Sequence, residues 1–189
     1  TTILRNSLAD RFMEAVRELK GSDPAKHDLL IVACYLYSCR IPISVDIATS
    51  YSRVHALGAE DVANLLASMG SVLAAYEGAL AETNQAYYVP RSRQVSEVVL
   101  QRIAASDLKT MLDVFHSEVS PTKIGSYDVF KRGAYDARLV GKAFPKWEEG
   151  LAFYQRAFLR DSSYSLKQQG ALYLAGKNNY EMAFSWIDE

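Results

Sequence analysis

The chain has 189 residues, 49% of them hydrophobic, with 21 Lys and Arg against 22 Asp and Glu for a formal net charge of −1. That is apolar material for one large domain or two small ones, and the near-neutral charge supplies no global field toward nucleic acid or an anionic membrane. The longest apolar runs, such as LLIVACYLY, fall far short of the roughly 20 residues that span a bilayer.

Leu4, Leu8, Phe12, Val16 and Leu19 recur every three to four residues and predict a leading amphipathic helix that stops at Gly21-Ser22. Its opening, TTILRNSLADRF, carries charge where a secretory signal has an apolar stretch. With no initiator methionine, and with SWIDE ending inside an amphipathic pattern, the expectation is a piece of a longer polypeptide. Asp23-Pro24 predicts an N-cap followed by proline at the first helical position. The helix it opens is apolar almost all round, hence central, and Arg40-Ile41-Pro42-Ile43 breaks it. Ser44 caps a short helix, VDIATSYSR, and AEDVANLLASM follows with Val62, Leu65, Leu66 and Met69 on one face. The period then changes: VLAAYEG and QAYYVP are short β-type segments separated by the polar turn AETN. Three helices and then a two-stranded ribbon is the order of a winged helix, placed at residues 23–92 behind the leading segment 1–22.

Residues 93–189 are expected to be helical throughout, over 94–104, 106–118, 126–143, 147–159, 164–175 and 179–188. Trp147, Leu151, Tyr154 and Phe158 make one stripe; Leu166, Gly170, Tyr173 and Leu174 make the next; Tyr180, Ala183, Phe184 and Ile187 make the last. Glycine at a close approach, a tight turn, then Tyr-x-x-Ala on a second helix is a tetratricopeptide-like pattern. The fold class expected is therefore mainly α, a winged-helix domain with a small β-wing followed by an α-helical repeat array.

With this order of elements the chain resembles the middle of a bacterial STAND-type signalling ATPase, a class that includes many anti-phage sensors. The resemblance covers most of residues 5–189. It implies a regulatory, non-catalytic fragment that couples the ATP/ADP state of an upstream nucleotide-binding module to trigger sensing or oligomerisation. A protein trigger or self-association through the repeats would be its other partner, and the setting would be cytoplasmic. In such proteins an aromatic strand, an arginine-histidine pair and a helix carrying a small residue and a glutamate end the winged helix. Arg93, Ser96 and Glu97 match that pattern, with Gln94 in the histidine's place. Arg91, Arg93 and Gln94 are the candidate nucleotide or interdomain contacts; the alternative is that Arg91 and Arg93 are solvated or pair with Glu97 one turn on.

Other chemistry is poorly represented. GALYLAGKN, from Gly170 to Asn178, has one residue too many for a P-loop and no hydroxyl after its lysine. Ser117 beside His116 sits on adjacent helical positions, and no Gly-x-Ser-x-Gly is present. Glu148-Glu149 and Asp188-Glu189 are expected on exposed helix faces. The histidines, His27, His55 and His116, have no ligand-spaced companions, so no metal is expected. Cys34 and Cys39, five apart on one helix, suit neither a disulfide nor a metal pair and point to reduced cytosolic thiols. The main competitor is a DNA-binding transcriptional regulator with a helical sensor domain. Against it, residues 44–90 hold Arg53 alone against Asp46, Glu60, Asp61, Glu77 and Glu82, a surface a duplex would repel. Residues 121–145 are milder: Lys123, Lys131, Arg132, Arg138 and Lys142 are interleaved with Tyr127, Phe130, Tyr135 and Phe144. They predict either a surface for nucleic acid or another acidic partner, or a helix with aromatics inward and cations solvated.

Overall fold

The computed structural model describes residues 2–81 and 84–188, with side chains from residue 9 onward. The side chains of Leu4 and Leu8 of the first stripe are not described, and Glu82 and Thr83 of the AETN turn and Glu189 of the terminal acidic pair lie outside the described residues. The described chain is mainly helical with one small antiparallel sheet. None of its helices is long and apolar enough to cross a membrane.

Helix α1 (Thr2–Ser22) runs into α2 (Pro24–Ser38), whose first turn is closed by the Asp23 side chain accepting from the Lys26 amide. Arg40 ends α2 at φ 66°, with the Ile41 amide returning to the Leu36 carbonyl. Then come β1 (Ile43–Ser44), α3 (Val45–Tyr51), a 3-10 turn (Ser52–His55) and α4 (Ala59–Ser68). The Ser44 hydroxyl caps α3 through the Ile47 amide. Strands β2 (Leu73–Ala75) and β3 (Tyr87–Pro90) complete the sheet in the order β1-β3-β2, antiparallel throughout. A two-residue strand is too short to leave a periodic signal, so β1 was not expected; its pairing with Tyr87 and Tyr88 exists only in three dimensions.

Helices α5 (Arg93–Arg102), α6 (Ala105–Glu118), α7 (Tyr127–Ala134), α8 (Ala137–Ala143), α9 (Trp147–Arg160), α10 (Tyr164–Gly176) and α11 (Tyr180–Asp188) follow. The single helix expected over 126–143 is two. The Asp136 carboxylate accepts from the Arg138 and Leu139 amides and so starts a new helix. The carbonyls freed at the break are not left bare. The Tyr35 hydroxyl donates to Ala134 O at 2.9 Å and the Tyr154 hydroxyl to Tyr135 O at 2.8 Å. Buried carbonyls require such partners, and a donor from two distant helices stabilises the break as local propensity does not.

Leu29 to Leu36 of α2 are all at most 1% exposed, because α1, α5, α6, α7 and the sheet surround that helix. The apolar core runs without interruption from Phe12 to Trp186, so residues on both sides of position 92 fill the same interior. Arg102–Asp10 and Lys20–Asp107 ion pairs tie α1 to α5 and α6.

The last three helices interlock through glycines. A Cβ on Gly150 would lie 2.1 Å from the Tyr173 ring and hydroxyl, and one on Gly170 would lie 2.4 Å from the Trp186 indole nitrogen. Trp186 is thereby drawn inward and donates its indole N–H to Lys167 O at 3.0 Å. This corrects the expected α11 stripe: Ala183 and Trp186 are buried, while Tyr180, Phe184 and Ile187 face outward.

Gly150→Ala is expected to destabilise the fold by about 1–3 kcal/mol, because Tyr173 is anchored at both ends and cannot yield. Gly141→Ala, whose Cβ would meet Tyr173 only at 3.9 Å, should be neutral or mildly stabilising. Denaturant midpoints for the two variants check this; equal midpoints would refute the close-approach account.

Candidate functional site

The strand-to-helix junction at residues 87–97 places the predicted residues as follows. Ser92 caps α5, its hydroxyl accepting from the Val95 amide, and the buried Ser96 hydroxyl donates back to Ser92 O at 3.1 Å. Arg91 extends the sheet ladder through its amide to Val72 O. Its guanidinium donates to Gly70 O at 2.6 Å and Ser71 O at 3.2 Å, stapling the end of α4 to the strand. Arg93 pairs with Glu97 at 3.1 Å, both side chains a little under half exposed. Gln94 is exposed, with no side-chain hydrogen bond among the described residues.

The three do not converge. Arg91 lines a cleft of about 320 Å³ with Arg11, Ser71, Ser92 and apolar residues of α1 and α5. Glu97 lines a different one, about 460 Å³, between the end of α2, α5 and the α7–α8 corner. In that larger cleft most charges are already committed. Asp136 caps α8, Glu97 holds Arg93, and Lys142 donates to Leu100 O at 2.8 Å and Gln101 O at 2.7 Å, capping α5. Desolvation lowers the Lys142 pKa. Arg138 is exposed, with no ion-pair partner among the described residues, so a ligand of this cleft would meet one free cation. Two carboxylates and two cations line it, so its charge is balanced, and it contains no nucleophile paired with a base.

The wider basic-aromatic stretch is built the same way. Phe130, Tyr135 and Phe144 are buried and Tyr127 is partly so. Lys123 donates to the Ser50 hydroxyl at 2.8 Å and Lys131 pairs with Asp128 at 2.9 Å. Arg132 and Arg138 remain exposed.

Two histidine assemblies were invisible in the sequence. His27 and His55 both hold Asp28: His27 Nδ1 to one carboxylate oxygen and His55 Nε2 to the other, each at 3.0 Å. Burial raises the Asp28 pKa, but the hydrogen bonds and charges of the two histidines together outweigh it and the net shift is downward. Since a carboxylate can only accept, Nδ1 of His27 carries its proton toward Asp28; the buried Nε2 has no partner among the described residues. The adjacency of His27 and Asp28 was the available signal, but nothing in sequence brings in His55, 27 residues on. Among the described residues no group of three or more His, Cys, Asp or Glu is arranged to hold a metal ion.

His116 lies in an aromatic box with Tyr35, Phe115, Phe130, Tyr135 and Phe153. Its Nε2 is 3.0 Å from the Tyr35 hydroxyl. Because that hydroxyl's single proton goes to Ala134 O, His116 must donate through its Nε2–H. Desolvation, then the charges of Arg160 and Arg156, depress its pKa from 6.5 to about 3. Ser117 turns away and donates to Val114 O. Cys34 and Cys39 are free and buried, and desolvation pushes both thiols up to about 12. They are protonated at neutral pH.

No family model, curated protein or solved structure matches the chain.

A histidine whose folded pKa lies below its unfolded one leaves the unfolded state binding more protons at low pH. Its contribution is therefore complete above pH 6.5 and lost as pH falls toward 3, with a limiting slope of about 1.4 kcal/mol per pH unit. We expect unfolding free energies measured from pH 7 downward to fall less steeply in His116→Gln than in the parent. Parallel curves would mean that His116 is not held neutral.

Proposed function

We propose that this chain is the regulatory and protein-interaction part of a larger signalling ATPase of the STAND type. A winged helix at residues 23–92 leads into tetratricopeptide-like hairpins, and the chain performs no catalysis of its own. The observation that supports this most is the order helix, strand, helix, helix, strand, strand from α2 to β3 with β3 central in the sheet. That is the winged-helix order, here continued by helices seated on one another through Gly150 and Gly170. In this reading an upstream module carries ATP or ADP, the winged helix holds it closed, and the hairpins meet a protein trigger or a second subunit, in the cytoplasm.

Arg93 is the residue through which nucleotide state would be felt. Its partner Glu97 is on its own helix and both side chains are partly solvated, so the pair can open at small cost. Arg91 is a poorer candidate, since its guanidinium already bridges Gly70 and Ser71. DNA reading is disfavoured by α4, whose exposed first turn presents Glu60 and Asp61 where a groove-entering helix needs donors and cations.

The test uses the full-length polypeptide with ADP bound. Arg93→Ala is expected to lower ADP retention about tenfold, the loss of one charge-assisted hydrogen bond, with the circular dichroism unchanged. A mixed-sequence duplex at low salt should not bind. A polypeptide without a P-loop that retains no adenine nucleotide would overturn the reading, and salt-dependent duplex binding would replace it with the DNA-regulator alternative.

A further inference from the structure

The α10–α11 hairpin is filled on its inner side and bare on its outer side. Inside, Gly170 receives Trp186, and Lys167 lies over the Phe158 and Trp186 rings at 4.6 and 4.1 Å while donating to Trp186 O. Outside, Tyr164 and Leu172 of α10 face Tyr180, Phe184 and Ile187 of α11 across a groove of about 240 Å³. These are five of the seven large apolar residues exposed in the described chain; the other two, Val54 and Leu159, lie on separate elements. Isolated exposed apolar side chains are ordinary, but a contiguous set on two adjacent helices marks a contact surface.

Shape and charge narrow the occupant. Tyr180, Phe184 and Ile187 on α11, and Tyr164, Gln168, Leu172 and Ala175 on α10, are rows at three-to-four-residue spacing, the ridges against which a third helix packs. Along the outer edge of α11, Glu181 and Asp188 are exposed, and neither has an ion-pair partner among the described residues. Helix α11 has no Lys or Arg, and the one cation lining the groove, Lys167, is held by Trp186. The free charge on the rim is therefore negative. A second copy docking by the same face would bring the same carboxylates and no free cation, since an isologous contact pairs a patch with itself.

We propose that this groove docks an amphipathic helix of a separate protein, with an apolar stripe flanked by Lys or Arg. The proposal rests on the protein-interaction half of the reading above and specifies its partner chemistry; it does not depend on the nucleotide half, whose readout at Arg93 is separate.

The experiment is fluorescence anisotropy of the full chain with a labelled synthetic helix carrying leucines at heptad spacing and lysines on both flanks, compared with a twin carrying glutamates there. The lysine helix is expected to bind with a Kd on the order of 10 μM, and its twin at least about tenfold more weakly. Phe184→Glu, at a side chain 70% exposed and so free of the core, should abolish binding with the circular dichroism unchanged. Glu181→Lys with Asp188→Lys should reverse the preference between the twins. Binding of neither helix, or equal binding of both that survives Phe184→Glu, overturns the proposal. So does a concentration-dependent dimer that Phe184→Glu dissolves, which would assign the face to a second copy. Normal ADP retention beside failed helix binding would locate the fault here and leave the switch reading intact.

Discussion

The hydroxyl of Tyr35, a fully buried residue in the last turn of α2, joins three parts of the molecule that are far apart in sequence. It donates to the Ala134 carbonyl at the end of α7 and accepts from His116 of α6. Its ring makes edge contacts with Phe115 and Phe130. An uncompensated carbonyl or hydroxyl in that interior would forfeit several kcal/mol of solvation, which favours one geometry where α2, α6 and α7 meet. Burial also raises the Tyr35 pKa well above its ordinary value, which keeps the hydroxyl a donor at any working pH.

The same device recurs down the chain. Tyr154 of α9 closes on the Tyr135 carbonyl, and the Tyr173 hydroxyl of α10 lies within hydrogen-bond reach of the Phe144 and Lys146 carbonyls, at 2.9 and 2.8 Å. Each tyrosine satisfies backbone groups where a preceding helix ends or the next begins, and glycines at 150 and 170 give the aromatic rings room to reach. Hydrophobic burial alone would permit these helices to slide; directional bonds to chain ends do not. The helical half is thus a succession of seats, each built by the helix before it, and the outer face of α11 is where the described succession is left uncovered.

Charge is used mainly inward. Lys142 caps α5, Arg91 fastens α4 to the sheet, Arg160 donates to Val119 O, and Lys123 holds Ser50. A cation already bonded to carbonyls is tethered and has fewer N–H donors left for a ligand, which separates committed cations from available ones. Arg93 and Arg138 fall among the available ones, Arg93 because its partner Glu97 is itself solvated. Near neutrality of the whole chain conceals this division.

The sequence by itself determined the local events. Asp23-Pro24 and Ser44 start helices because a side-chain oxygen meets amides within one turn, and the apolar run of α2 announces a helix buried all round. The Arg93–Glu97 spacing is legible for the same reason: the two side chains lie four residues apart on one helix. Only the tertiary structure decided what depends on distant partners. The break at Ala134–Asp136 is stabilised by hydroxyls arriving from residues 35 and 154. Strand β1 exists because β3 lies beside it, and His27, Asp28 and His55 meet across two elements. The rotation of α11 that buries Trp186 and exposes Phe184 follows from a notch at Gly170. Periodicity reports that a helix has an apolar face; which part of that face turns inward is set by the shape of the neighbour that receives it.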